Sequence, residues 1–294
     1  MIRPQEHNWI GNSKVEVIGI LSVSFLCCLA LFFLPNYFFE TDFFPEQIWL
    51  FLVVFVDVGH VYSTIYRTYI DKQLVSKHQN LFFGLPVLLF ALSVLLHSIS
   101  SILFWRCLAY FAVYHFIRQQ YGFLRIYSRK NTYSKFKHYI DSVTIYGVTI
   151  LPIIYWHFSG NRKFNWFLKN DFFQFSTNEW ILNSTILLIF LVLIIYFISE
   201  GFEVFKSQQI NYQKNAIVIG TALSWFIGIV YYNSDFVFTL LNVVCHGVPY
   251  MTLVWIHGKK THVVSNETNV LNLIYGKFSM LLFLLPIVFF AYIE

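Results

Sequence analysis

Apolar stretches of about 20 residues recur along nearly the whole chain with short polar connections between them, and no other feature restricts the fold as much. A helix rises ~1.5 Å per residue, so each stretch matches the ~30 Å hydrocarbon core of a bilayer. Only helices and closed barrels can pair every backbone N–H and C=O inside lipid. The stretches are continuous rather than alternating, which excludes a transmembrane barrel. The expected fold is therefore all-α, a single polytopic helical bundle over residues 1–294. Nine spans are expected, near 15–37, 48–69, 81–97, 100–124, 139–158, 180–202, 213–232, 236–257 and 271–293. The third and fourth are parted only by the tight turn His97-Ser98-Ile99-Ser100-Ser101.

Composition agrees. The chain is 57% hydrophobic and 12% charged, where a soluble domain carries about 25% charged residues. A water-soluble core cannot absorb that much apolar surface. The first stretch is longer than a signal-peptide core and ends at Leu34-Pro35-Asn36-Tyr37 with no small-residue cleavage site, so it reads as a retained span. The chain reads as an integral multi-pass membrane protein, of the plasma (inner) membrane if bacterial.

Charge sets the orientation, because Lys and Arg accumulate on the cytoplasmic side. Arg3 and Lys14 precede the first span, whereas Glu40, Asp42 and Glu46 follow it. Arg67, Lys72 and Lys77 follow the second span, and Arg125, Arg129, Lys130, Lys135 and Lys137 follow the fourth. Lys206 and Lys214 follow the sixth, and Lys259 and Lys260 the eighth, while Asp235 and Glu294 fall on the other side. The alternation gives a cytoplasmic N-terminus, an external C-terminus and an odd number of spans. These loops also account for the net charge of +5 and the pI of 8.9. They suit anionic membrane lipids as partners, and no nucleic acid is needed to explain them.

Cys27, Cys28, Cys107 and Cys245 all fall within expected spans and form no CxxC pair, so they read as small packing residues. The one long connection, Ser159 to Glu179, mixes Phe164, Trp166, Phe167 and Phe172 with Arg162, Lys163 and Lys169. It reads as an interfacial segment on the external face.

Chemistry enters with three polar stripes inside apolar helices. On the second helix Asp57, His60, Thr64, Arg67 and Asp71 share one face. On the fourth, His115, Arg118, Gln119 and Gly122 do so, with His115 and Gln119 spaced to converge. On the eighth, Thr239, Asn242, His246, Pro249 and Tyr250 line up. Ionisable groups in hydrocarbon are costly and point to function. His60, His115 and His246 lie at similar depth, so one shared site is expected. The alternative for each is a histidine that hydrogen-bonds across helices, worth ~0.6 to 2 kcal/mol.

Three neutral imidazoles with an open position suit a divalent transition metal. Iron is favoured, for oxidative chemistry on a lipophilic small molecule, with zinc behind it. Haem ligated by two of the histidines is a further route, with Gly59, Gly247 and Gly122 as the small residues that would admit it. In this reading Asp57, Gln119, Asn242, Tyr250 and Thr64 serve as additional ligands or orient the imidazoles. Arg67 and Arg118 bind an anionic headgroup or substrate end, and an electron-donor protein is a partner.

In its multi-span plan and dispersed single histidines the chain resembles the membrane-embedded, histidine-ligated non-haem iron oxygenases. That class includes the bacterial carotene-cleaving Brp/Blh proteins and, more distantly, fatty-acid desaturases and hydroxylases. The resemblance implies a helical membrane oxygenase. It covers no motif: the HxxxH and HxxHH clusters of desaturases are absent, so no ligand is carried over. DVGHVYSTIYRTYID, YHFIRQQYGFLRIYSRK and CHGVPY nevertheless read as signature stretches. Two other functions compete. One is an ion- or proton-coupled transporter using Asp57, Arg67, Arg118 and Asp141, although no inverted repeat is visible. The other is a structural or assembly protein whose stripes lock helices together.

Overall fold

The structure is a computed structural model that describes residues 3–4, 8–40, 45–131, 134–262, 274–275 and 279–293. Asp42, Glu294 and part of the ninth expected span lie outside them. The protein is all-α. Its main helices are α1 (Ser13–Leu21 and Val23–Leu31, bent by 46°), α2 (Glu46–Arg67), α3 (Asn80–Ile99) and α4 (Ser101–Ser128). They continue with α5 (Lys135–Phe158), α6 (Glu179–Ser207), α7 (Tyr212–Tyr231), α8 (Asp235–Thr261) and α9 (Met280–Ile293). Six of these are long and apolar enough to cross a membrane, or seven if the bent α1 counts as one span. At 28 residues α4 is long enough, but its stripe makes it too polar, and among the described residues α9 is too short.

Helix starts follow from local chemistry. Ser100, Ser134, Asn178, Asn211 and Ser234 cap α4 to α8, each accepting a backbone N–H from three residues on. Such caps satisfy donors that a helix start leaves unpaired. The stripe of α2 departs from the expectation at its end. The helix tightens to a 3₁₀ turn over Thr64–Arg67 and breaks at Thr68, so Asp71 caps the next short helix rather than extending the stripe.

The bundle turns its apolar side chains outward over much of its surface. Phe90, Leu187 and Phe202 are exposed, and α3 buries none of its apolar window. In water this would be a liability; in lipid these surfaces face acyl chains. The interior is instead held by α7 and α8, the most buried helices.

The polar connections sort onto two faces. Arg3–Pro4 pairs with Gln209–Ile210, Arg129 donates to the carbonyls of Asn8 and Trp9, and Asn211 donates to Asn131 and the Tyr127 carbonyl. These contacts tie the N-terminus to the α4–α5 and α6–α7 turns. At the other face Arg106 donates to the Asn170 carbonyl, Lys163 N–H to Asn233, and Ser234 to the Phe38 carbonyl. The segment between α5 and α6 lies largely on the surface, with Phe167, Leu168, Phe173 and Phe175 exposed, but it also sends two aromatics inward. Phe164 and Phe172 are buried against Trp156, with Phe172 stacked on it at 4.5 Å, and Phe164 stacks on Phe238 at 4.7 Å. The segment plugs that end of the bundle.

Near the opposite end α5, α6 and α7 are pinned by an ionic quartet. Lys137 contacts Asp141 and, at 2.5 Å, Glu200. Lys214 contacts Glu200 and, at 3.3 Å, Asp141. All four are buried, and both cations also face the Tyr196 ring. Each charge touches both of its opposites, which is the condition for ions to be tolerated without water. The sequence places Lys137 and Lys214 among the cytoplasmic loop charges and only Asp141 within a stripe-like relay, whereas both lysines are buried inside α5 and α7. The Lys137–Asp141 spacing of one helical turn was the available signal.

Candidate metal centre

The local folding of α2 and α8 aims their histidines. In α2 a π-helical stretch, Leu50–Val58, immediately precedes His60; in α8 another, Thr239–Val244, precedes His246. Wide turns of this kind rotate the face that follows and are common at functional sites. His60 and His115 each lie fourteen residues into their helix and His246 eleven, so the three sit at similar depth.

The three imidazoles meet. Ring centroids are 4.8 Å apart for His60 and His246, 4.9 Å for His115 and His246, and 6.4 Å for His60 and His115. One nitrogen from each lies within 4.8 Å of the others. His60 and His246 are buried, while His115 is exposed. Among the described residues this is the one histidine, cysteine and carboxylate group close enough to hold an ion.

Hydrogen bonding is what sets the cluster apart. Both ring nitrogens of His246 are buried with no hydrogen-bond partner. His60 Nδ1 lies 3.4 Å from Asp57 Oδ1, near enough for electrostatic attraction but outside hydrogen-bond geometry. A buried polar atom left unpaired costs ~1–3 kcal/mol, so native proteins rarely leave one without a reason. One nitrogen from each of three converging imidazoles could hold a transition metal.

The other stripe residues fall into place unevenly. Gln119 Nε2 donates to the His246 backbone carbonyl at 2.8 Å, fastening α4 to α8, and its Oε1 is buried without a partner. Tyr250 bonds Thr64 at 3.2 Å and packs edge-on to His60 at 5.9 Å. Asn242 donates to the Phe238 carbonyl at 3.3 Å, not to an imidazole, and its Oδ1 is also unpartnered. Asp57 lies against His60 of its own helix. Arg67 is exposed at the end of α2 and meets no carboxylate among the described residues. Arg118 donates to the Tyr146 hydroxyl at 2.5 Å and does not reach Asp141, which the quartet occupies.

Sequence reading did not foresee what closes the site. Phe116 stacks on His246 with ring centroids 3.5 Å apart and meets Trp166 at 4.9 Å. The aromatic plug therefore reaches down to the histidines. Gly59 and Gly247 leave no slot for a macrocycle: a Cβ on Gly59 would meet Ile287 at 3.1 Å, and one on Gly247 would meet Val56 at 2.9 Å. These glycines let helices approach closely. Gly122 alone of the three opens on empty space, with nothing within 4 Å of a Cβ built there. It lies in a cavity of about 270 Å³ lined by His115, Arg118, Gln119, Phe123, Tyr250 and Leu253 among others.

No protein-family model matches the chain, and no curated protein or solved structure matches it.

Proposed function

We propose that this is a multi-pass membrane protein that crosses the bilayer nine times with a cytoplasmic N-terminus. In this reading it holds a divalent transition metal on His60, His115 and His246 and carries out oxidative chemistry on a lipophilic substrate. The observation that carries the reading is His246: fully buried, both nitrogens unpaired, and within reach of two further imidazoles. Three neutral nitrogen donors with an open position suit iron and zinc alike, and iron is favoured for oxidative chemistry because zinc has no redox change to offer. A bound metal would supply Lewis acidity and access to redox change, with electrons delivered by a donor protein.

The protein's own residues do the rest. Gln119 holds α4 at a fixed distance from α8, which keeps His115 opposite His246. Asp57 would favour the His60 tautomer that carries its proton on Nδ1, leaving Nε2 free to ligate. Phe116 and Trp166 exclude water from the external side. The two-faced sorting of the polar connections supports the proposed sidedness, since the basic turns gather with the N-terminus.

A second reading, proton-coupled transport, draws on the quartet of Lys137, Asp141, Glu200 and Lys214. Its charges neutralise one another, and Asp57, Arg67 and Arg118 form no ion pair with it among the described residues. The metal reading is therefore preferred.

Elemental analysis of the detergent-purified full-length protein tests it. About one transition-metal ion per chain is expected in the wild type, with none in His246→Ala, because one lost imidazole removes a ligand and not a span. A His246→Ala protein with full metal content would overturn the assignment.

A further inference from the structure

Arg118 is the anomaly of α4. It lies one helical turn beyond His115, near the middle of a 28-residue helix, and it is exposed. A cation at that depth is costly unless paired, and long basic side chains normally stretch towards the interface. This one does not. Its guanidinium is held sideways by the Tyr146 hydroxyl at 2.5 Å and lies over the Tyr121 ring at 5.0 Å. No carboxylate lies within 4 Å of it among the described residues. Arg118 lines the same cavity as His115 and Gly122, and Tyr146 steadies its guanidinium from outside the cavity wall.

We infer that this cavity is the seat of a single-chain lipophilic carboxylate, its carboxyl group on Arg118 and its chain along Gly122, Phe123, Ile126 and Leu253. Guanidinium and carboxylate match in fork geometry, and the pairing neutralises the otherwise unpaired cation. A carboxylic acid can shed its charge by protonation, enter from the membrane and ionise at the arginine; a phosphodiester cannot. Beyond that polar end the cavity wall is almost wholly apolar, as a hydrocarbon chain requires. The carbons next to the carboxyl group then lie one helical turn from His115. This rests on the metal reading for its chemical consequence but not for its binding, so the two can fail separately.

Calorimetric titration of the detergent-solubilised full-length protein with palmitate tests it, with methyl palmitate and phosphatidylglycerol as competitors. Saturable palmitate binding is expected, with neither competitor displacing it. Arg118→Gln should weaken binding about 10- to 100-fold, as loss of a charge-assisted hydrogen bond does. Gly122→Leu, which fills free space rather than displacing a neighbour, should block the chain. Both variants should keep the wild-type metal content and thermal midpoint, which shows that the fold survives. Equal binding of methyl palmitate, displacement by phosphatidylglycerol, or an Arg118→Gln protein that binds palmitate as the wild type does would each overturn the proposal. Palmitate binding that depends on Arg118 in a protein free of metal would sink the metal reading and leave this one standing.

Discussion

The ionic quartet and the histidine trio are both polar clusters set among apolar helices, yet they are built on opposite terms. In the quartet each lysine touches both carboxylates, so the group is neutral and complete. In the trio His246 has no partner on either nitrogen, and Gln119 Oε1 beside it has none either. Ions removed from water survive only when paired, so the quartet explains itself as a clasp for α5, α6 and α7. The trio does not explain itself. Its nitrogens lie close enough together to hold an ion, and that difference separates a cluster complete in itself from one that could bind.

The largest effect should come from unbalancing the clasp. Lys214→Met leaves Asp141 and Glu200 with one cation between them, and breaking a buried pair in this way costs ~3–5 kcal/mol. A large drop in thermal midpoint in detergent is expected. Lys214→Met combined with Glu200→Gln restores neutrality and should recover part of it. A single variant as stable as wild type would mean that the clasp holds nothing.

The trio should respond to metal instead. A ligand that binds only the folded state stabilises it by about 2.7 kcal/mol at 100 times its dissociation constant. Chelation should therefore lower the thermal midpoint of wild type and of the Lys214→Met, Glu200→Gln protein alike, while leaving His246→Ala unmoved. If chelation shifted His246→Ala equally, the ion would lie elsewhere.

Helix placement was legible because hydropathy and caps act locally. The expected spans at 139–158, 180–202 and 213–232 lie within a few residues of α5, α6 and α7. Convergence of His60, His115 and His246 could be anticipated from matched depth, since lipid offers a histidine no partner. Other features needed three dimensions. The π-helical stretches before His60 and His246 change the phase of a stripe, which period counting assumes to be constant. That is why Asn242 faces the Phe238 carbonyl instead of an imidazole. Glu200 and Lys214 join Asp141 across three helices, and no spacing in the sequence encodes that. Phe116 looks like an ordinary helix aromatic and Trp166 like part of an interfacial segment until the two rings meet above His246.

The smallest expected effects separate positioning from ligation around His60. Asp57→Asn removes the charge 3.4 Å from Nδ1 while keeping the side chain's shape. Changes to groups that orient a ligating imidazole typically cost 10- to 100-fold in metal affinity, and that range is expected here. Tyr250→Phe removes only the hydroxyl that bonds Thr64 at 3.2 Å and keeps the ring against His60. Its cost should be ~1 kcal/mol of stability with metal affinity unchanged, because a neutral hydrogen bond contributes little net. Metal titration of both variants beside their thermal midpoints makes the distinction. An affinity loss in Tyr250→Phe as large as in Asp57→Asn would move Tyr250 from the wall of the site onto the ion. The trio would then be a set of four donors, with a phenolic oxygen completing what three nitrogens begin.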